Sequence, residues 1–195
     1  MEYDVRWKEY IRFTNQATLR HLKALKPSAD ALLVDVGAGT GDITISMSKH
    51  CPILPKYVGV EPSKARRKRA NSRTRQLSSR IMFKQGKASN LPNECNSCDI
   101  IVCQSVFHRV NRKGFLKEAY NNLESEGHLI LLDWNAEGWR KYLYKLFNIF
   151  DRVRLSPVSI NRAKRLVKAQ GFAIKTSERL YWRYWSFYVI VAKKP

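Results

Sequence analysis

No stretch of this 195-residue chain is apolar over the roughly 18 residues that a membrane-spanning helix needs. The opening Met1-Glu2-Tyr3-Asp4 lacks the basic and then apolar pattern of a signal peptide, so a soluble, cytoplasmic protein is expected. Internal repeats and low-complexity linkers are missing too. Cysteine is scarce, with Cys51, Cys95, Cys98 and Cys103 alone, and in an intracellular chain these read as free thiols. Cys95 and Cys98 form a C-x-x-C, but a structural zinc site needs a second ligand pair, and no suitably spaced Cys/His pair follows. The pair reads as a loop leading into a strand, and no metal is expected.

Acid is absent from residues 62–93, which carry ten Lys/Arg. Residues 138–195 carry fourteen Lys/Arg against Asp151 and Glu178, whereas residues 94–137 are net negative, at −3. Within a net charge of +20, this asymmetry favours an anionic partner: RNA, an anionic membrane surface or an anionic substrate. Charge does not choose among them, and any single cluster reads equally well as a solvated face.

Hydrophobic residues make up 44% of the chain, enough for one domain with a full core. Residues 3–25 read as an amphipathic helix with Trp7, Tyr10, Ile11, Thr14, Leu19 and Leu22 on its apolar side, closed by Pro27 and Ser28. Strands are expected at 31–36, 56–61, 80–85, 99–104 and 128–133. Helices are expected at 43–50, from Pro62-Ser63 to about Leu77, and at 113–123. Such alternation implies parallel βαβ units with helices on both faces. Helices at 139–150 and 159–170, the second ended by Gly171, precede two strands at 172–180 and 186–192. The class is α/β: a doubly wound seven-stranded sheet with a C-terminal antiparallel hairpin, in one domain over 1–195. Within it, 1–28 form a cap helix and 29–195 the core.

Asp35-x-Gly37-x-Gly39-x-Gly41 sits where the first strand hands over to a helix. Glycine lets the backbone turn sharply and lets a ligand lie against it, and the following helix N-terminus offers unpaired N–H groups. A dinucleotide fingerprint needs G-x-G-x-x-G, and its third glycine falls on Asp42. Glu61 closes the second strand, 24 residues after Gly37, where a carboxylate can accept from both ribose hydroxyls. A lone Glu at a strand end is ordinarily just solvated; after this turn it reads as a ribose ligand.

The G-x-G-x-G spacing resembles motif I of the class I S-adenosylmethionine (SAM) dependent methyltransferases. That resemblance extends through Val58-Gly-Val-Glu-Pro-Ser63, Gly86-Lys-Ala-Ser-Asn-Leu-Pro92, Cys98-Asp-Ile-Ile-Val-Cys-Gln-Ser-Val-Phe-His-Arg-Val110 and Leu123-Glu-Ser-Glu-Gly-His-Leu-Ile-Leu-Leu-Asp-Trp134. It is nearest to the broad quinone C-methyltransferase-like, type 11 group. It implies a Rossmann-like fold and a cofactor site built from Asp35, Gly37, Ala38, Gly39, Gly41, Glu61, Pro62, Ala88, Gln104 and Ser105. It further implies SAM as cofactor, with S-adenosylhomocysteine (SAH) as product. The opening Tyr3-Asp4-x-x-Trp7-x-x-Tyr10 resembles a cofactor-covering helix of relatives, which would bring Tyr10 and Tyr3 near the methyl group or the carboxylate; anchoring of the helix by these aromatics is the competing reading. Two positions depart from the family pattern: Lys87 stands where relatives have an Asp that meets the adenine amino group, and His128 follows Gly127 in place of a second glycine. Lysine cannot accept that N–H, so adenine recognition falls to backbone such as that of Ala88.

The acceptor carries no such signature. Gln104-Ser105-Val106-Phe107 replaces the Asn-Pro-Pro-Tyr of amino-methylating nucleic acid enzymes, and no Pro-Cys nucleophile is present. His108 and Tyr10 are the catalytic candidates. His108 reads as a general base or as an exposed, helix-capping histidine. Asp133 reads as a substrate-orienting group or a helix N-cap. Aromatics crowd the last hairpin (Tyr181, Trp182, Tyr184, Trp185, Phe187, Tyr188), either stacking on bases or a membrane, or packing core and edge. Three functions follow: a small-molecule or lipid methyltransferase, an RNA methyltransferase using the basic surface, and a SAM-binding interaction module without catalysis, the last suggested by Lys87.

Overall fold

The computed structural model describes residues 2–51, 56–75, 77, 80–139, 142, 144 and 156–195, with backbone alone for 2–6. Its elements run α1 (Glu2–Ala24), β1 (Leu32–Val36), α2 (Asp42–His50), β2 (Lys56–Val60), α3 (Lys64–Thr74), β3 (Ile81–Lys84), β4 (Cys98–Gln104), α4 (Arg112–Asn122), β5 (Leu123–Trp134), α5 (Ile160–Ala169), β6 (Ala173–Trp182) and β7 (Trp185–Lys193). The seven strands form one sheet in the order β3-β2-β1-β4-β5-β7-β6. The first five pair in parallel, and β7 joins β5 and β6 antiparallel. The expected Rossmann-like sheet with its closing hairpin is therefore present.

Both faces of the sheet are covered, which is why β1 and β4 are mainly apolar rather than alternating, with the Asp35 and Asp99 carboxyl groups hydrogen-bonded to Thr44 Oγ1 and Leu32 N–H. One face meets α4 and α5 through Phe115, Leu116, Ile160, Ala163 and Val167. The other meets α1 and α2 through Ala17, Leu19, Leu22, Ile43 and Met47. Ile160, Ala163 and Val167 recur at helical spacing, so α5 turns a single stripe inward. Side-chain caps start three helices: Ser63, Asn111 and Ser159 accept from the backbone N–H of Arg66, Gly114 and Arg162. Gly171, at φ +104°, ends α5 as its position suggests.

Two boundaries differ from expectation by three residues or more. β5 begins at Leu123 rather than at residue 128, because Glu126 N–H and Gly127 C=O pair with Lys194 and carry the ladder further. α3 stops at Thr74, three residues before Leu77. The helix expected over 139–150 falls mostly outside the described residues.

Candidate active site

β1 and β4 are neighbours, with β2 and β3 on one side and β5 on the other, so their carboxyl ends flank the point where the strand order reverses. Such a crevice is where open α/β sheets bind ligands. Here it holds a cavity of about 730 Å³, within the range of about 300–1,000 Å³ typical of ligand pockets.

The glycine turn makes one wall. Gly37, Gly39 and Gly41 all have positive φ, between +57° and +83°. N–H groups of Gly37 and Ala38 donate to Val60 C=O at 2.8 and 3.0 Å, tying the turn to the end of β2. A Cβ on Gly41 would lie 2.7 Å from the Phe83 ring, whereas one on Gly39 would meet nothing nearer than 3.9 Å. Gly41 is thus needed for packing, while Gly39 leaves room over the cavity it lines. Asp35 lies beneath the turn, fully buried, and does not line the cavity. Its Oδ2 accepts from Thr44 Oγ1 at 2.5 Å, which braces β1 against α2. Burial pushes its carboxyl up to about 7, against the lowering effect of the Thr44 bond.

Glu61 forms the next wall beside Pro62. Its two carboxylate oxygens accept from Gly39 N–H at 3.1 Å and Ser63 N–H at 2.9 Å, so backbone on both sides holds it still. Each oxygen keeps a lone pair for a further donor. Lys87 and Ala88 line the cavity from a tight loop closed by paired backbone bonds between Lys87 and Asn90.

α1 roofs the cavity, and Gln104 fastens it. Gln104 Oε1 accepts from Thr18 Oγ1 at 2.6 Å, and Nε2 donates to Thr14 Oγ1 at 3.1 Å and Asn15 Oδ1 at 2.8 Å. Beside it, Ser105 Oγ lies 2.6 Å from Tyr10 Oη. Tyr10 is 5% exposed and packs near Trp7, Trp134, Trp182 and Phe187. Burial raises its hydroxyl well above the ordinary range, against the Ser105 bond and the nearby Arg109 charge. Gln104, Ser105 and Tyr10 all line the cavity; the side chain of Tyr3 is outside the described residues.

His108 is neither exposed nor a helix cap. It is buried behind the cavity wall and does not line it. Its Nδ1 lies 2.7 Å from Asp133 Oδ1, and its Nε2 accepts from Arg109 Nε at 2.9 Å. An Arg Nε always carries its proton, so the imidazole is neutral, with hydrogen on Nδ1 pointing at Asp133. Asp133 is buried and also accepts from the backbone N–H of His108 and Trp134, so it serves this corner rather than a helix cap.

The hairpin aromatics divide. Phe187 and Tyr188 are core, Trp182 packs near Tyr10 and Phe13, and Tyr181 and Tyr184 are exposed. All four cysteines are buried free thiols, and burial pushes the Cys95 thiol up to about 12. Among the described residues no group of His, Cys, Asp and Glu is arranged to hold a metal. No helix of those residues is long and apolar enough to cross a membrane.

Reasoning from sequence missed the fastening of α1 by Thr14, Asn15 and Thr18, and it missed Arg109. No local signal marks them, since their partners lie across the fold or are side chains whose burial depends on it.

A family model described as a methyltransferase domain matches residues 34–131, which contain the glycine turn, Glu61, the end of β4 and all but the last three residues of β5. The demethylmenaquinone methyltransferase of Lactobacillus johnsonii is 28% identical over 177 residues, covering 78% of this chain and 72% of that one. Among solved structures, the YcgJ protein of Bacillus subtilis superposes with a TM-score of 0.80 at 18% identity, covering 92% of this chain and 98% of that chain. Magnesium protoporphyrin IX methyltransferase of Synechocystis, crystallised with SAH, gives a TM-score of 0.76 at 16% identity, covering 93% and 82%. These two likenesses carry the fold, and the family model carries the family. The chain belongs to the methyltransferase-domain family, with the fold of class I SAM-dependent methyltransferases.

Proposed function

We propose that this protein transfers a methyl group from SAM to a small organic acceptor held beneath α1. The observation that carries this reading is the single cavity that Glu61 and Ala88 line together with Tyr10 of α1. The residues present fit the cofactor. Gly39 leaves space where any other residue would place a Cβ, and Glu61 is a pinned acceptor suited to a ribose diol. Adenine is met by the backbone around Ala88, since Lys87 offers no acceptor. Gly37, Ala38 and Gly41 shape the turn, Asp35 supports it from below, and Pro62, Gln104 and Ser105 complete the walls.

Bound SAM supplies an electrophilic methyl group, so the protein has mainly to place the acceptor and exclude water. α1 performs both tasks through its bonds to Gln104 and Ser105. Tyr10, buried and bonded to Ser105, acts as a neutral hydroxyl that orients the acceptor. His108, with both ring nitrogens engaged, acts through Arg109 rather than as a base on the acceptor.

A second reading, RNA as acceptor, draws on α3 and its C-cap, where Lys64, Lys68, Arg69 and Arg75 are exposed and no acid stands among them. The size of the cavity, about 730 Å³ with α1 lining one side, suits a small molecule. The deciding experiment has two stages. Calorimetry with SAH comes first, and absence of binding ends both catalytic readings and the SAM-binding module with them. Tritiated-methyl transfer to fractionated metabolites, lipids and RNA follows. Label in the RNA fraction, lost steeply with salt, would displace the small-molecule reading.

A further inference from the structure

At the Tyr10 end of the cavity a cation stands without a directly paired carboxylate. Arg109 lines the cavity, is exposed, and pairs with no carboxylate among the described residues. The acids that line the same cavity are already engaged elsewhere. Asp42 meets Arg73 at 2.8 Å, and Glu61 is held by backbone and lies 4.0 Å from Arg66. No described residue of the wall therefore neutralises Arg109.

Its guanidinium is also set in place from behind. Arg109 Nε donates to His108 Nε2 at 2.9 Å, His108 Nδ1–H donates to Asp133 at 2.7 Å, and Asp133 is anchored by two backbone N–H groups. His108 is 4% and Asp133 0% exposed, so the brace is dry and stiff. A surface arginine ordinarily samples many rotamers. One held through Nε loses that freedom before a ligand arrives, and its two terminal nitrogens stay free to bind side by side. An uncharged ligand covers this fixed cation without meeting its charge, at a cost in affinity.

We propose that Arg109, braced by His108 and Asp133, is an oxyanion site in the acceptor end of the cavity, so that the acceptor carries a carboxylate or a phosphate. This rests on the reading that the acceptor shares the cavity with SAM. Trp7, Tyr10 and Ile11 line the same end, so the remainder of the acceptor is apolar and ring-like. His108 and Asp133 are positioning residues here; Arg109 is the group that touches the ligand.

The test uses benzoate and phenyl phosphate as probes and benzamide as their neutral counterpart, titrated calorimetrically into the protein with and without saturating SAH. Wild type should bind at least one anionic probe about tenfold to a hundredfold more tightly than benzamide, the range of a charge-assisted contact. Which probe binds tells carboxylate from phosphate. Arg109→Gln, an exposed change, should lose that preference and keep its SAH affinity. Arg109→Lys keeps the charge but offers no Nε–H to His108, so it should recover only part of the preference. Wild type indifferent to probe charge overturns the site, as does an unchanged preference in Arg109→Gln. A parallel loss of SAH affinity in Arg109→Gln also overturns it, because the oxyanion met would then be the cofactor's own carboxylate. Full recovery in Arg109→Lys overturns the brace. Failure of wild type to bind SAH, with Arg109-dependent probe binding intact, would sink the methyltransferase reading and leave the oxyanion site standing.

Discussion

A Cβ placed on Gly37 would lie 2.4 Å from Cγ2 of Val106, the residue that follows the end of β4 by two. The glycine turn and the β4 loop therefore touch with no room for a methyl group. Gly37→Ala forces this contact apart and also puts a side chain at φ +79°, a conformation that costs an L-residue roughly 1–2 kcal/mol by itself. Gly39→Ala carries a similar backbone penalty, but its Cβ projects into open space. The two variants should separate. Gly37→Ala loses the more in thermal midpoint, at about 2–4 °C per kcal/mol for a chain of this size. Gly39→Ala stays closer to wild type in midpoint and loses SAH affinity. Equal midpoints together with equal SAH affinities would show that Gly39 does not face the cofactor.

Gln104 holds three α1 side chains at once, and two of them, Thr14 and Thr18, are 1% and 0% exposed. Gln104→Ala leaves the Thr18 hydroxyl buried without this partner, at about 1–3 kcal/mol for an unsatisfied group, while the Thr14 hydroxyl keeps its bonds to the backbone C=O of Tyr10 and Ile11. That cost is relieved by letting α1 swing away. Amide hydrogen exchange in α1 should rise several-fold, with the β4–β5 ladder unchanged, and SAH affinity should fall with it. Protection of α1 equal to wild type would mean that its apolar face alone, through Leu19 and Leu22, holds the roof.

Much of this site was readable before the fold was in view, for a physical reason. Gly37, Gly39 and Gly41 announce a local backbone demand, and Glu61 follows at the distance that one βαβ unit imposes. The α/β sheet and its hairpin were readable on the same grounds, because period and turn residues are local. What stayed hidden depends on register across the sheet. Gln104 meets residues 86 to 90 positions earlier, and His108 meets Asp133 across 25. Only the pairing of β4 with β5 decides that His108 is buried. In the last hairpin the aromatic content was plain, but β7's partners on both sides decide that Phe187 and Tyr188 are core while Tyr181 is exposed.

The C-x-x-C pair lies at the entry to β4 with both sulfurs buried. Burial raises the Cys95 thiol to about 12 and the Cys98 thiol further still, and the thiolate is the reactive form. Native protein at pH 8 should therefore resist iodoacetamide at all four cysteines, and unfolding in guanidinium should expose four alkylation sites. Rapid native labelling at Cys95 or Cys98, read by peptide mass spectrometry, would reopen a redox or metal role for the pair.

Asp35 makes a distinct prediction for pH. Its folded-state carboxyl is raised from 3.8 to about 7, chiefly by burial and in part by Glu61 and Asp42 nearby. Between those two values the folded chain keeps a proton that the unfolded chain has released, so stability from this group falls as pH rises across the window. Below about 4 and above about 7 the contribution is level. A tenfold difference in proton affinity between the two states is worth about 1.4 kcal/mol, so the decline is on the order of 1–4 kcal/mol. Asp35→Asn keeps an oxygen for Thr44 Oγ1 and cannot ionise, so it removes the decline. Urea midpoints at pH 5 and pH 8 provide the comparison. Wild type should lose more stability than Asp35→Asn between the two, and the variant should be the more stable of the pair at pH 8. If both proteins lose the same amount, Asp35 is ionised throughout, and the buried charge beneath the glycine turn must be met by a donor beyond Thr44.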